Sequence, residues 1–472
     1  MSTRSKLNLL VTLVIASLLL AACVAPAPTS GGGAAAGGGA AAGAATRQVV
    51  WMVRNDVPTE LKWENEVIVP TWQKEHPDIK LNVLVLLQSD IAVKREAMIA
   101  AGEQLDVWSP NWGGDGFASD RSRGLLTDLT PLIERDKFDT SVFLPEVLDI
   151  YKSDGKIWGL PFLTVGSYVY YNMKLFDEAK IPYPTTDWND KSWTWDAMID
   201  IAKKLTKNVN DPATAQYGIN VDRQNIEGPT MIFGQFPWPD DAYSTGLADK
   251  ITLNTPEVIN AYQKFHDLVY VDKVSPDASS TQGLNQLGGI FQSGRVAMQL
   301  TGGWGWQQYS RVTPKVENGF CWGAAPIPWG SDKADKRAII YTDPWAITKG
   351  LQGQRLDDAW EFIKFLMRED NARGFMKVSG APPAQTKLQE EWFKQFECMD
   401  SAKVSQVYQG ALTHGRESSN HLMVKWGELE QIWNNAFSAY FSDQKGDTTA
   451  VLSQLETDLN AALQKIKQEV KK

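Results

Sequence analysis

The chain has 472 residues, a formal net charge of −9 and 19 tryptophans, but only 4 histidines and 3 cysteines. An acidic chain without a block of basic residues is a poor candidate for nucleic-acid binding, so we expect no nucleic-acid partner.

The first 23 residues have the layout of a secretory signal. Arg4 and Lys6 precede an apolar run over residues 7–20, which is too short for a comfortable membrane span. The run leads into Leu20-Ala21-Ala22-Cys23, which resembles the bacterial lipobox, whose cysteine is lipidated and becomes the first mature residue. We therefore expect an extracytoplasmic protein anchored to the bacterial cell membrane by a lipid on Cys23. The alternative is a cleaved signal without lipid.

The next segment, residues 24–46, is rich in Ala and Gly and carries no charge. It cannot bury enough apolar surface to offset the entropy lost on ordering, so it is predicted to be a flexible tether. The remainder is long enough for two lobes of ordinary domain size.

Short apolar strands then alternate with helical patterns. Strands are predicted over 49–53, 79–87 and 105–109, with a helix starting at Pro58 and another capped by Ser89. This alternation predicts a parallel, doubly wound sheet, whose ligand crevice lies at the carboxyl ends of the strands.

Two loops leave such strand ends. The first contains Asn55 and Asp56, and the second, over 110–120, carries Trp112 and Asp115 among glycines. Their positions favour a role in binding. A glycine-rich turn with a surface tryptophan is the alternative for the second loop.

Further elements follow along the chain. A strand is predicted over 167–172, and helices are predicted over 193–207, 255–270 and 356–370. In the first of these helices, Ala197, Ile201 and Leu205 are expected to face the core. Asp357 and Asp358 suit the positive end of a helix dipole. The sequence leaves open whether Cys321 and Cys398 form a disulfide.

Several segments together carry a family resemblance. They are "LDVWSPNWGGDGFASDRSRGLLTDLTPLI" at 105, "IWGLPFLTVGSYVYYNMKLF" at 157, "FQSGRVAMQLTGGWGWQQY" at 291, "WGAAPIPWG" at 322, "YTDPWAITKG" at 341 and "AWEFIKFLM" at 359. In this order and spacing the chain resembles the family 1 extracellular solute-binding proteins of ABC importers, the group that includes maltose-binding protein.

The resemblance implies an α/β protein with the type II periplasmic-binding-protein fold. Each of its two lobes is then a sheet flanked by helices, with a ligand cleft between them. Lobe I would comprise 47–163 and 328–382, and lobe II 164–327 and 383–472. The family also implies a carbohydrate receptor that delivers its ligand to ABC permease subunits. We expect a monomer without catalytic residues, metal or cofactor.

The segment over 297–310 places tryptophans among glycines. Its pattern predicts a strand that ends in a turn, with a helix beginning at Trp304. Glycine permits close approach to the backbone, and an indole offers a flat apolar face that suits the C–H face of a sugar. The family uses the first tryptophan of this motif in the same way. We expect Trp304, beside Gly303, to be a ligand platform and Trp306 to be core; the alternative is that both are core.

The remaining candidates for ligand contact carry weaker signals, and for each a structural role is nearly as plausible. They are Asp343, Trp345, Trp238, Asp240, Trp426 and Arg416.

Two other classes of protein would also use tryptophans against sugar. A secreted glycoside hydrolase needs two carboxylates at a set separation, and the adjacent Asp240 and Asp241 do not identify such a pair. The sequence has no HExxH, GxSxG, Walker A or CxxC motif. A polysaccharide-binding adhesin would bind polymers without closing its lobes.

Overall fold

A computed structural model of the protein describes residues 47–113, 116–223 and 225–470. Cys23, the predicted signal and tether, and Asp115 lie outside the described residues. Among the helices in those ranges, none combines the length and the apolar character needed to span a bilayer.

The described chain forms strands and helices in alternation. The strands are β1 Arg47–Arg54, β2 Ile79–Leu86, β3 Val107–Trp108, β4 Lys152–Ser153, β5 Lys156–Ile157, β6 Leu160–Val165, β7 Ser167–Asn172, β8 Asn220–Val221, β9 Met298–Gly302, β10 Trp322–Ala325, β11 Ala338–Ile347 and β12 Gly415–Glu417.

The helices fall into an N-terminal and a C-terminal half. The first are α1 Pro58–Trp63, α2 Val69–Glu75, α3 Gln88–Ala101, α4 Gly116–Ser122, α5 Thr130–Asp136, α6 Pro145–Asp149, α7 Met173–Ala179, α8 Trp195–Leu205, α9 Gly228–Ile232 and α10 Ala242–Thr245. The others are α11 Pro256–Tyr270, α12 Ala278–Gln286, α13 Trp304–Tyr309, α14 Gly353–Met367, α15 Glu369–Ser379, α16 Thr386–Phe393, α17 Ser401–Thr413, α18 Ser419–Leu422, α19 Trp426–Tyr440 and α20 Thr448–Val470.

The first sheet has the order β12-β11-β3-β1-β2, and β6 pairs with β11 beside this path. The three strands nearest the N-terminus run parallel, as the alternation predicted, whereas β11 runs antiparallel to β3 and β6. Within β1, Val49, Trp51, Met52 and Val53 are all buried, which is typical of a strand covered on both faces.

The second sheet has the order β10-β7-β9-β8. The strand β7 pairs antiparallel with both β9 and β10, and β8 runs parallel to β9. Each sheet lies against its own apolar core. One core contains residues between Val49 and Ala384, and the other contains residues between Tyr168 and Ile466.

The chain passes between the two cores along particular strands. Val165, at the end of β6, belongs to the first core, and Tyr168, in β7, belongs to the second. Ala338 and Trp345, at opposite ends of β11, also belong to different cores. The fold is the two-lobed type II arrangement with helices around each sheet. The residue boundaries given above for the lobes stay a prediction.

Most predicted helices form, but three details were wrong. Helix α3 begins at Gln88 after Leu87, so Ser89 is inside the helix and is not its N-cap. Helix α14 begins at Gly353, so neither Asp357 nor Asp358 lies in its first turn. Asp357 instead pairs with Arg135 and Asp358 with Arg47.

The third detail concerns the buried face of α8. Trp195 occupies the first helical position and is buried, so the core stripe continues through Met198, Ile199, Ala202 and Leu205. Ala197 and Ile201 are therefore only partly buried.

The structure settles the pairing of the two downstream cysteines. Cys321, just before β10, is bonded to Cys398, which follows α16. The bridge closes a loop of 77 residues, which contains residues of both cores. Cross-linking two distant segments stabilises a fold chiefly by restricting the unfolded chain.

Candidate functional site

A cleft of about 550 Å³ lies where the elements of the two cores face each other. Its walls include Arg54, Asp56, Val57, Gln88, Asn111, Trp112, Leu163, Val165, Asp222, Asn225, Ile226, Trp304, Gln307, Gln308, Arg311, Tyr341, Asp343, Ser418, Asn420, His421, Trp426, Glu430, Trp433 and Asn434. A concave site that mixes aromatic rings with convergent polar groups is the usual form of a small-molecule binding site.

One aromatic pair in the wall joins α13 to β11. The ring of Trp304 lies 5.1 Å from that of Tyr341, centroid to centroid, with the planes at 59°. Trp304 is partly exposed, whereas Trp306 is fully buried among aromatic rings that include Tyr168 and Trp392. The assignment of Trp306 to the core is confirmed. The ligand role of Trp304 stays a prediction, with the ring located at the cleft.

The glycines around Trp304 make room for rings and backbone of the protein itself. A Cβ on Gly302 would lie 2.2 Å from the Trp304 ring, and one on Gly305 would lie 2.4 Å from the Tyr170 ring. A Cβ on Gly303 would meet Val165 at 2.2 Å. The close approach expected from these glycines therefore involves Trp304, Tyr170 and β6.

A second group of aromatic and polar side chains comes from α19. Trp426, Glu430, Trp433 and Asn434 all line the cleft. Their spacing of four, seven and eight residues places them on one helix face. The rings of Trp426 and Trp433 meet edge to face at 4.7 Å. Only Trp426 was predicted, although helical periodicity from Trp426 would have found the other three.

A third group centres on Asp343, in the strand β11. The indole Nε1–H of Trp112 donates a hydrogen bond to Asp343 Oδ2 at 3.1 Å. The Arg54 guanidinium lies over the Trp112 ring, 5.1 Å from its centroid. Arg54 also contacts the carboxylates of Glu60 at 3.3 Å and Asp56 at 3.8 Å.

Burial and neighbouring charges shift the pKa values of Arg54, Glu60 and Glu64. Burial by itself lowers the pKa of Arg54, but the carboxylates of Glu60, Asp56 and Asp343 more than offset it, so the guanidinium stays charged. Burial raises the pKa of Glu60 despite Arg54, and burial together with the Glu60 charge raises the pKa of Glu64 to about 8.

A histidine of the cleft wall, His421 in α18, contacts a buried acid in β12. Glu417 contacts His421 Nδ1, and burial raises the pKa of Glu417 although His421 opposes the shift. The His421 ring lies 5.9 Å from that of Tyr341. Neither histidine chemistry nor Tyr341 was predicted for the site, because nothing in the local sequence marks them.

Hydrogen bonds connect the two sides of the cleft. Gln307 Nε2 in α13 donates to Glu60 Oε1 in α1 at 3.1 Å, and Arg311 Nη2 donates to Thr59 Oγ1 at 3.0 Å. The described structure therefore has its two sides in contact at this end of the cleft.

Several predicted site residues lie elsewhere. Trp345 is 4% exposed because Phe162 stacks on it at 4.4 Å and Trp112 covers it edge-on at 5.4 Å. Trp238 is buried in the second core, near Trp426. The structure does not bring either ring to the cleft wall.

The same is true of three polar candidates. Asp240 is largely exposed and pairs with Arg416 at 2.9 Å, and Arg416 also lies over the Phe236 ring. The backbone N–H of Asn55 donates to Leu86 O in the adjoining strand. Of the predicted residues, the wall holds Trp304, Trp112, Asp56, Asp343 and Trp426. Their contact with a ligand stays a prediction.

Comparison with known proteins identifies the family of this chain. The family model described as bacterial extracellular solute-binding protein matches residues 55–373. The chain belongs to the bacterial extracellular solute-binding proteins. The match covers both sides of the cleft up to α15.

Individual relatives are distant but extensive. A putative binding protein of Brucella abortus is 23% identical over 409 residues, which are 85% of this chain and 90% of the relative. The arabinooligosaccharide-binding protein of Bacillus subtilis is 23% identical over 326 residues, 67% of this chain and 69% of the relative.

A solved structure has the same fold. It is an ABC substrate-binding protein from Listeria monocytogenes in complex with cycloalternan, with a TM-score of 0.72 at 22% identity, over 89% of this chain and 99% of that one.

Proposed function

We propose that this solute-binding protein is the carbohydrate receptor of an ABC importer. The observation that carries the proposal is the cleft wall formed by Trp304 and Tyr341, with polar side chains such as Asp343 and Asn225 around it. A sugar presents an apolar C–H face and a rim of hydroxyls, which an aromatic surface with nearby hydrogen-bonding groups complements.

The names of the relatives support the same ligand class. The Bacillus subtilis relative is named for arabino-oligosaccharides, and the Listeria monocytogenes structure contains cycloalternan. The cleft here, at about 550 Å³, lies within the range of roughly 300–1,000 Å³ that is usual for ligand sites.

In the proposed mechanism the protein binds its ligand without making or breaking a bond. A ligand that touches both lobes favours the closed form, and the closed form docks on the permease subunits. The hydrogen bonds from Gln307 to Glu60 and from Arg311 to Thr59 are contacts that a closed form can use. The strand β11, whose ends lie in different cores, is the proposed hinge.

The proposal also includes the membrane anchor. A lipid on Cys23 and the uncharged segment after it would keep a monomeric receptor close to its permease. Replacing Cys23 with serine is then expected to release the protein from the membrane fraction or to block its maturation. Retention of the processed variant in the detergent-extractable membrane fraction would contradict this part.

The test of ligand class is a thermal-shift screen against neutral mono- and oligosaccharides, followed by calorimetry. A ligand that binds only the folded state raises the unfolding free energy by RT ln(1 + [L]/Kd) and thereby raises the apparent melting temperature. We expect at least one oligosaccharide to raise it and to be recovered chemically unchanged. Hydrolysis of the bound saccharide would instead support a glycoside hydrolase, and binding restricted to polymers would support an adhesin.

A further inference from the structure

The side chain of Asp343 is presented to the cleft from an irregular part of the sheet. Along β11, Asp343 pairs with Leu163, but the next residue, Pro344, pairs with Pro161, so β6 contributes one residue more than β11. The skipped residue, Phe162, stacks on Trp345. Such bulges commonly re-aim a side chain beside a binding site. Asp343 is partly exposed between the buried Thr342 and Pro344.

The ring of Trp112 is too enclosed to serve as a sugar platform. It is only 2% exposed, with the Arg54 guanidinium over the ring and the rings of Trp345 and Phe162 edge-on at 5.4 and 5.9 Å. Its one polar side-chain atom, Nε1, donates a hydrogen bond to Asp343 Oδ2. Trp112 therefore acts on the cleft through Asp343.

The carboxylate of Asp343 keeps acceptor capacity toward the cleft. A carboxylate has about four lone-pair sites, and within the described ranges the protein occupies one of them, through Trp112 on Oδ2. Oδ1 and the remaining site on Oδ2 can each accept a hydroxyl. Two acceptor atoms on one planar group match the two hydroxyls of a vicinal diol.

The charges around Asp343 disfavour an anionic ligand. Arg54 is already paired with Glu60 and Asp56. Among the described lining residues, the carboxyl side chains outnumber the guanidinium groups: they are Asp56, Asp222, Asp343 and Glu430 against Arg54 and Arg311. In a partly buried cleft such an excess repels a phosphate or a uronate more strongly than it would at an exposed surface.

We propose that Asp343 determines specificity by accepting two hydroxyls of an uncharged sugar, and that Trp112 is the positioning residue that fixes its carboxylate. The inference rests on the proposed function and narrows it to neutral saccharides with a free vicinal diol. It separates the two indoles of the cleft by role: Trp304 offers a ring face, and Trp112 offers a hydrogen bond to a carboxylate.

The experiment measures binding by calorimetry for the purified full-length protein. The probes are neutral arabino-oligosaccharides and maltodextrins, each compared with an analogue that carries a terminal uronic acid. The variants are Asp343→Asn, which keeps the shape but removes the charge and one acceptor, Trp112→Phe, which keeps a ring but removes the N–H, and the double variant. Melting temperatures check that each variant is folded.

We expect Asp343→Asn to weaken binding of the neutral probe about tenfold or more, since hydrogen bonds to a charged group are among the stronger ones. The same variant should narrow the preference for the neutral probe over the uronate. Trp112→Phe should weaken binding severalfold in the wild-type background and have almost no further effect in the Asp343→Asn background, because it acts through Asp343.

Additive effects of the two substitutions would overturn the positioning role, since Trp112 would then contribute independently. An unchanged affinity and preference in Asp343→Asn, with normal saccharide binding by the wild type, would overturn the specificity role while the proposed function stands. Should Asp343→Asn fail to fold, Trp112→Phe alone decides: an unchanged affinity for the neutral probe overturns the proposal. If the wild type binds no saccharide, both proposals fail.

Discussion

Two regions of the molecule meet in the short helix α13, and they differ in what their tryptophans contact. Trp304 faces the cleft beside Tyr341, whereas Trp306 is fully buried among rings of the second core. Residues two apart on an α-helix point about 200° away from each other, so six residues suffice to present one indole to a ligand and the other to the core. Residue type alone therefore says little about role here.

The largest expected effect is on the core side of this comparison. In Trp306→Ala, the loss of a ring packed against Tyr168, Tyr170, Trp322, Trp392 and Phe396 should cost about 3–5 kcal/mol of unfolding free energy. Urea unfolding measures this cost. A variant as stable as the wild type would remove the distinction between the two tryptophans.

The cleft side should respond in the opposite way. Trp304→Ala should lose well over tenfold in affinity for the saccharide found by screening, since an aromatic contact contributes about 0.5–1.5 kcal/mol beyond the area it buries. The unliganded melting temperature should stay close to that of the wild type. Calorimetry and thermal melting measure the two quantities.

A matched control is available in Trp158, which is also partly buried but lies outside the cleft, beside Lys156. Trp158→Ala should leave the affinity unchanged. Normal affinity in Trp304→Ala, or instability comparable to that of Trp306→Ala, would show that the two tryptophans do not differ in role.

Substitutions of Gly305 and Gly302 test the same contrast between core and cleft. Ala at position 305 would press on the buried Tyr170 ring and should destabilise the fold by about 1–3 kcal/mol, as overpacking typically does. Ala at position 302 would instead displace the Trp304 ring and should reduce affinity more than Gly305→Ala does. Gly283→Ala, in α12 with open space around it, is the control and should be neutral or slightly stabilising.

Much of the fold could be predicted because its signals are local. The strands β1, β2 and β7 and the helices α8 and α11 follow from apolar periodicity and from caps such as Thr255, whose side chain accepts from Val258 N–H. The glycine–tryptophan turn before α13 is equally local. The order of several such segments was sufficient to indicate the family.

The site was less predictable because its key contacts are remote in sequence. Trp112 and Asp343 are 231 positions apart, so their hydrogen bond has no local signature. Trp345 lies in the same strand as Asp343 and two residues after it, yet Trp112 and Phe162 cover its ring. Sequence patterns indicate which residues can face a cleft, but packing between distant segments decides which of them do.

The last expected effect concerns two buried acids, Glu60 and Glu64, which lie one helical turn apart. Glu60 contacts Arg54 and Gln307, whereas the buried Glu64 Oε2 has no hydrogen-bond partner among the described residues. Burial and the Glu60 charge raise the pKa of Glu64 to about 8 in the folded state, from 4.5 for an ordinary glutamate. The folded protein therefore holds a proton that the unfolded chain releases over this range.

The sign of the pH dependence follows directly from that difference. The stability contributed by Glu64 is fully present below about pH 4.5 and is lost progressively as the pH rises toward about 8. Glu64→Gln stays neutral at every pH, so it should be more stable than the wild type at pH 8.5, where the wild-type protein has lost the stability contributed by the Glu64 proton. The advantage should shrink toward pH 5, where the wild-type side chain is also neutral.

Glu66→Gln, on the exposed side of the same turn, is the control and should leave the pH profile of the melting temperature unchanged. Parallel profiles for Glu64→Gln and the wild type between pH 5 and 8.5 would mean that Glu64 is ionised and solvated in the folded state.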